Sequence, residues 1–131
     1  MILNNWEEVQ NKYSRIPGKK GLELRQKYYK PYFLRFGKNI SIFEDCKFFH
    51  PHLICLEDNT RINIQTIIYG SGGVNIGRNV LIGPKNFIHS ANHNFKGIID
   101  SDLKNNNYIY LKVTIGSNSL ISANCSILPG A

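Results

Sequence analysis

The sequence predicts a mainly β chain, a three-faced parallel β-solenoid of about four coils, preceded by a short basic α-helical segment. Three observations predict it. Bulky apolar residues recur every six positions from Phe36 onward, an asparagine stands three residues after the start of each coil, and the excess basic charge lies ahead of the repeat.

Residues 1–35 read as the helical segment. Trp6 to Tyr13 reads as one helix, with Asn5 as its N-cap. Pro17-Gly18 breaks it, and a second helix is expected from Gly21 to about Lys30, ending before Pro31 because the residue ahead of a proline resists the α region. Residues 1–38 hold nine basic and three acidic residues, a balance of +6, whereas residues 39–131 carry seven and six, a balance of +1. The net +7 of this 131-residue chain is therefore a property of one end, and no nucleic-acid-reading motif accompanies it. A pair of helices closing the open end of the solenoid accounts for the charge as a solvated face. Attraction of residues 1–35 to acidic lipid headgroups at the inner face of the membrane is the functional alternative.

Residues 36–131 read as the solenoid. The ladder runs Phe36, Ile42, Phe48, then Leu56, Ile62, Ile68, then Ile76, Ile82, Ile88, and finally Ile115, Ile121, Ile127. The first three triplets begin 20 residues apart. Asn39, Asn59, Asn79 and Asn118 supply turn-tolerant corners. Cys46, Thr60, Thr66, Val80, Ser119 and Cys125 fall on small wall positions, which explains two of the three cysteines without any reactive role. Three cysteines without a C-x-x-C pair fit neither a disulfide scaffold nor a zinc ribbon. No apolar run approaches the roughly 20 residues of a membrane span, and the first residues lack a secretory pattern. The expected location is cytoplasmic.

The ladder is interrupted once. From Ile88 to Ile115 is 27 residues where an unbroken coil takes eight, so a loop is inserted at about 89–114. Long excursions from a rigid scaffold are where binding and catalysis concentrate. His89 and His93 open the loop, and Tyr108 and Tyr110 close it. His50-Pro51-His52 is an H-x-H pattern with two metal-type ligands and no convincing third. Gly70-Ser71-Gly72-Gly73 lacks the spacing of a phosphate loop and reads as the corner absorbing a two-residue insertion.

The repeat resembles the hexapeptide-repeat acyltransferases, whose fold is a left-handed parallel β-helix. The resemblance covers about 96 residues, Phe36 to Ala131. Within it, Ile76-Gly77-Arg78-Asn79-Val80-Leu81-Ile82-Gly83-Pro84, then His93, then the return at Ile115-Gly116, is similar to the maltose, galactoside and polysaccharide O-acetyltransferase branch. That resemblance implies acetyl-CoA as donor, no metal, and His93 as the base that deprotonates an attacking sugar hydroxyl. It implies Asn63, 30 residues before His93, as an acceptor contact, while Tyr108 and Tyr110 lie in the loop expected to shape the acceptor pocket and are taken as substrate-binding. Asp100 and Asp102 fall in the same loop. It also implies Ser122 and Ala123 beside the pantetheine arm, with Leu120 where these enzymes often place tryptophan. Asn63 begins the second face of its coil and His93 lies beyond the third, so the two are expected to converge between subunits of a homotrimer.

The repeat stops inside a unit at Pro129-Gly130-Ala131, which reads as truncation with an incomplete donor site. Two other readings compete: a catalytically silent β-helix scaffold, and a metal-dependent carbonic-anhydrase-like protein using His89 and His93. The identity of the acceptor and of the acyl group is open at this point.

Overall fold

In the computed structural model, which describes residues 5–93 and 108–131, the chain starts with helices α1 (Trp6–Tyr13) and α2 (Gly18–Tyr29). A 3₁₀ turn follows at Lys30–Tyr32. Two expectations are corrected. Asn5 sits in the helical region and its side chain makes no cap hydrogen bond. The second helix begins at Gly18 because extended Pro17 precedes it, and Gly18 takes φ +71°. Pro31 is accommodated in the 3₁₀ turn, where its missing N–H costs nothing.

Twelve short strands then wind three to a coil. The first face holds β1 (Arg35–Phe36), β4 (Ile54–Leu56), β7 (Val74–Ile76) and β12 (Val113–Ile115). The second holds β2 (Ser41–Ile42), β5 (Arg61–Ile62), β8 (Leu81–Ile82) and β13 (Leu120–Ile121). The third holds β3 (Lys47–Phe49), β6 (Ile67–Tyr69), β9 (Phe87–His89) and β14 (Ser126–Ile127). All pairings within the faces are parallel, and three four-stranded sheets stacked this way fit the left-handed parallel β-helix. Each ladder residue pairs with its counterpart one coil on: Phe36 with Leu56, Leu56 with Ile76 and Ile76 with Ile115 on the first face, with equivalent register on the others.

The corners turn through left-handed residues. Between the first and second faces these are Asn39, Asn59, Asn79 and Asn118, whose amides form a ladder of hydrogen bonds from 2.9 to 3.2 Å. Between the second and third faces the left-handed positions are Asp45, Gln65, Lys85 and Asn124, with φ near 60°. Only two of those four are residue types that tolerate this region well, so the coil geometry imposes it on Gln65 and Lys85.

Inside, Ile42, Phe48, Leu56, Ile62, Ile68, Ile76, Ile82 and Ile88 are fully enclosed, those of the second and third coils between neighbouring coils, and Ile42 and Phe48 between the second coil and the helices. In the fourth coil Ile121 and Ile127 are half-buried, having a neighbour on one side. Thr60 and Thr66 are buried and donate hydroxyl hydrogen bonds to the carbonyls of Gly77 and Gly83. Cys46 shares their position; burial pushes its thiol up to about 12, and its Sγ donates to the Asn63 carbonyl at 3.0 Å. Cys55 is also buried and its thiol is pushed up by that burial. Since the thiolate is the reactive form, iodoacetamide at pH 8 is expected to alkylate half-buried Cys125 first and to reach Cys46 only on unfolding. Peptide mass mapping before and after urea checks this order.

The helices close the first coil by supplying partners to its open strand edges. Trp6 Nε1 donates to the Phe48 carbonyl at 2.8 Å, and Gln10 Oε1 accepts from the Phe48 amide at 2.7 Å. Gln26 Oε1 accepts from the Ile40 amide, and Arg25, wholly buried, donates to the carbonyls of Ile42, Tyr13 and Ile16. A bare edge would template further pairing; here side chains satisfy it. Trp6, Tyr29 and Phe33 cover the apolar cross-section above Phe48. One of the nine N-terminal basic residues is thus a buried staple, while Lys12, Lys19, Lys20, Lys27 and Lys30 face solvent. Among the described residues no helix is long and apolar enough to cross a membrane.

Candidate active site

The interruption falls at the corner between the third and first faces, after β9. In the coils below, this corner is made by a 3₁₀ turn at Pro51–Leu53 and by Gly70–Gly73, where Gly73 takes φ +92° and its amide donates to the Gly70 carbonyl. The glycine run is therefore the corner its sequence suggests. In the third coil the chain leaves at Ser90 as β10 (Ala91–His93), returns as β11 (Tyr108–Tyr110), and re-enters at β12. These two strands form an antiparallel ribbon with Ala91 opposite Tyr110 and His93 opposite Tyr108. Strand alternation puts His93, Tyr108 and Tyr110 on one side.

The base of the ribbon is anchored by Ser90. Its Oγ donates to the Tyr69 carbonyl at 2.7 Å and accepts from the Gly72 amide at 2.8 Å, and its carbonyl accepts from the Leu111 amide at 2.8 Å. A Cβ on Gly72 would lie 2.2 Å from the Ser90 carbonyl oxygen and 2.9 Å from the Leu111 nitrogen. Gly72→Ala is expected to cost about 1–3 kcal/mol through overpacking and to displace the ribbon. Thermal unfolding checks it.

The ribbon and the third face enclose a cleft of about 440 Å³. His89, His93, Tyr108 and Tyr110 line it, together with Tyr69 and Phe87 from the outer side of the third face. The His93 ring packs on Tyr108, centroids 4.7 Å apart. The His93 amide donates to Asn92 Oδ1 at 2.8 Å, which stiffens the ribbon at that point. His89 stacks on Phe87 at 4.5 Å, and its Nδ1 lies 3.4 Å from the Ala91 carbonyl oxygen. None of the described lining residues is Lys, Arg, Asp or Glu.

His50 reaches the same cleft from the first coil. Its H-x-H partner His52 does not; burial lowers the pKa of His52, with His50 adding to the effect, and its Nδ1 is enclosed without a partner. The two rings are 5.8 Å apart. Among the described residues no group of three or more His, Cys, Asp or Glu is placed to hold a metal ion.

Asn63 lies elsewhere, at the corner between the second and third faces. Its Oδ1 accepts from the Ile64 amide at 2.8 Å. It is not part of the asparagine ladder, which occupies the corner before the second face. Ser122 and Ala123 are exposed on the same edge as Asn63, two coils above it, about 10 Å at normal strand spacing. Gly83 lies between them; a Cβ there would meet the Ser122 and Ala123 backbone at 3.1 Å. One chain thus brings His93, Tyr108 and Tyr110 together on one edge and Asn63, Ser122 and Ala123 on another. Asp100 and Asp102 lie outside the described residues.

Sequence reading missed Tyr69, Phe87 and His50 as cleft walls. A signal was present: Phe49, Tyr69 and His89 each follow a ladder residue of the third face at 20-residue spacing, so they stack on its outer side.

A solved N-acyltransferase from Bacillus cereus, AntD, in complex with dTDP and 3-hydroxybutyryl-CoA, superposes with a TM-score of 0.51 at 20% identity, over 81% of this chain and 72% of that one. The chain shares its fold with an N-acyltransferase. A variant of AntD, in complex with dTDP-4-amino-4,6-dideoxyglucose and coenzyme A, aligns at 17% identity and a TM-score of 0.48, over 80% of this chain and 81% of that one. No family model and no curated protein matches the sequence. The likeness to AntD is one of fold.

Proposed function

We propose that the protein is an acyl-CoA-dependent acyltransferase that acetylates a hydroxyl of a sugar or polysaccharide unit, with His93 as general base. The observation that carries this reading is the convergence of His93, Tyr108 and Tyr110 in one cleft at the point where the coil is interrupted. AntD, crystallised with an acyl-CoA, supports the donor class.

In this mechanism the His93 imidazole takes the proton of the acceptor hydroxyl as its oxygen attacks the thioester carbonyl carbon of acetyl-CoA. The C–S bond breaks, and the thiolate takes up the proton from the imidazolium as it leaves. The thioester brings its own activation, so neither an enzyme nucleophile nor a metal enters the balance. Tyr108 and Tyr110 offer hydroxyls and ring surface to the acceptor, and Tyr108 holds the His93 ring by packing. Ser122 and Ala123, small and exposed beside Gly83, leave room along their edge for an extended pantetheine arm.

The separation of Asn63 from His93 within one chain supports sites shared between subunits, in which the edge bearing Asn63, Ser122 and Ala123 of one protomer faces the His93 cleft of the next. We place three such sites in a homotrimer in the cytoplasm, where the exposed lysines of α1 and α2 can contact acidic lipid. A second reading, transfer to the amine of an amino sugar, is favoured by the N-acyltransferase likeness.

Acetyl-CoA turnover with matched hydroxyl and amino sugars, followed by thiol release, tests the proposal. Release that depends on the hydroxyl sugar supports it. Dependence on the amino sugar alone moves the assignment to N-acylation, and no acceptor-dependent release overturns it. Light scattering giving an active monomer would overturn the shared site.

A further inference from the structure

A second cleft, about 340 Å³, adjoins the first and shares its His50 and Tyr69 walls. It continues along the outer side of the third face to α1, where Glu7, Asn11 and Lys47 edge it and Phe49 forms its floor. The two clefts make one groove across three coils, about 10 Å of strand spacing plus the width reached by the helix. That is longer than a single sugar ring.

The groove has an aromatic floor, and among its described lining residues Glu7 and Lys47 are the only Lys, Arg, Asp or Glu. Phe49 stacks on Tyr69 at 4.3 Å, and Tyr69 meets Phe87 edge-on at 5.6 Å. Phe49 and Tyr69 remain 38% and 36% exposed, so their surface is open to a ligand. The described lining of the first cleft holds three histidines and no Lys, Arg, Asp or Glu, and that of the second adds one acid, Glu7, and one base, Lys47. On a chain of net charge +7 the described lining of the first cleft offers an anionic nucleotide no Lys or Arg, whereas sugar C–H faces pack on aromatic rings and hydroxyls bond to a polar rim.

We infer that this groove binds a neutral linear oligosaccharide, with the reacting residue beside His93 and the next residues on the Tyr69–Phe49 surface towards α1. The inference rests on the sugar-acceptor reading above and adds to it a chain-length preference with a physical site.

The test compares kcat/KM for acetyl transfer to glucose, galactose and N-acetylglucosamine, each against its linear trisaccharide, and to dTDP-glucose. At least one trisaccharide is expected to exceed its monosaccharide by about tenfold, the size of one aromatic stacking contact. Phe49→Ala should erase that advantage and Phe49→Trp should keep it. Equal use of mono- and trisaccharides, preference for dTDP-glucose, or an advantage that survives Phe49→Ala each overturns the inference while leaving acyl transfer intact. Saturation-transfer NMR of the same trisaccharides without donor separates the two claims. Trisaccharide binding lost in Phe49→Ala with no acyl transfer to any sugar would retain the groove and sink the acyltransferase reading, and absence of binding would sink the groove.

Discussion

Replacing His93 by alanine is expected to lower kcat for acyl transfer by about 10²–10⁴-fold, the usual contribution of a positioned general base, with KM for both substrates changed little. The residue is exposed on the β10–β11 ribbon and its ring contact is with Tyr108, so its loss removes little packing. His93→Phe separates the two roles of the ring: it keeps an aromatic face against Tyr108 and removes the nitrogen that takes the proton. If packing were the whole function, His93→Phe would retain activity where His93→Ala lost it. Both variants should melt with the parent protein and fail in turnover. Steady-state rates with saturating acetyl-CoA read the outcome, and turnover unaffected by either substitution refutes the mechanism.

Arg25→Ala should destabilise the fold by about 3–5 kcal/mol, because three carbonyls would lose their donor at about 1–3 kcal/mol for each one left unpaired. Arg25 is 0% exposed. Its guanidinium joins the end of α1, the linker and the second face by donating to Tyr13, Ile16 and Ile42 carbonyls, and Glu44 lies 3.6 Å from it. Burial lowers its pKa, and the nearby Glu44 carboxylate works against that. Gly21 makes the arrangement possible, since a Cβ there would fall 1.8 Å from the Ile16 carbonyl oxygen and 2.9 Å from Arg25 Nη1. Arg25→Lys would not rescue the fold, because a single ammonium cannot serve carbonyls in three directions as a planar fork does. Urea denaturation followed by circular dichroism measures the effect. An unshifted midpoint would show that the cap is not stapled through this residue.

Much of the fold was legible because its signal is a repeat. Ile62 is apolar for the same reason that Ile42 and Ile82 are: each roofs the next, so one physical demand is written into the sequence several times. The asparagine corner was legible for the same reason. The second corner was not, since Asp45, Gln65, Lys85 and Asn124 share a left-handed backbone and no residue type. Gln10 and Arg25 were equally hidden. Each reads as a polar residue on a solvated helix, and only the unpaired strand edge beneath it makes it structural.

The site divides along the same line. His93, Tyr108 and Tyr110 stood out because they bracket a break in the repeat, and a break is visible against a period. Tyr69, Phe87 and Phe49 come from three coils and carry no local sign of function; stacking at 20-residue spacing assembles them into a wall.

By itself the sequence determined the coil, its three faces and the place of interruption, because residues of one ladder interact only with copies of the same position one coil away. The tertiary structure alone decided that the helices cap the first coil through side chains and that two clefts run together along the third face. Those are relations between the repeat and segments outside it, and no periodicity along the chain encodes where such segments pack.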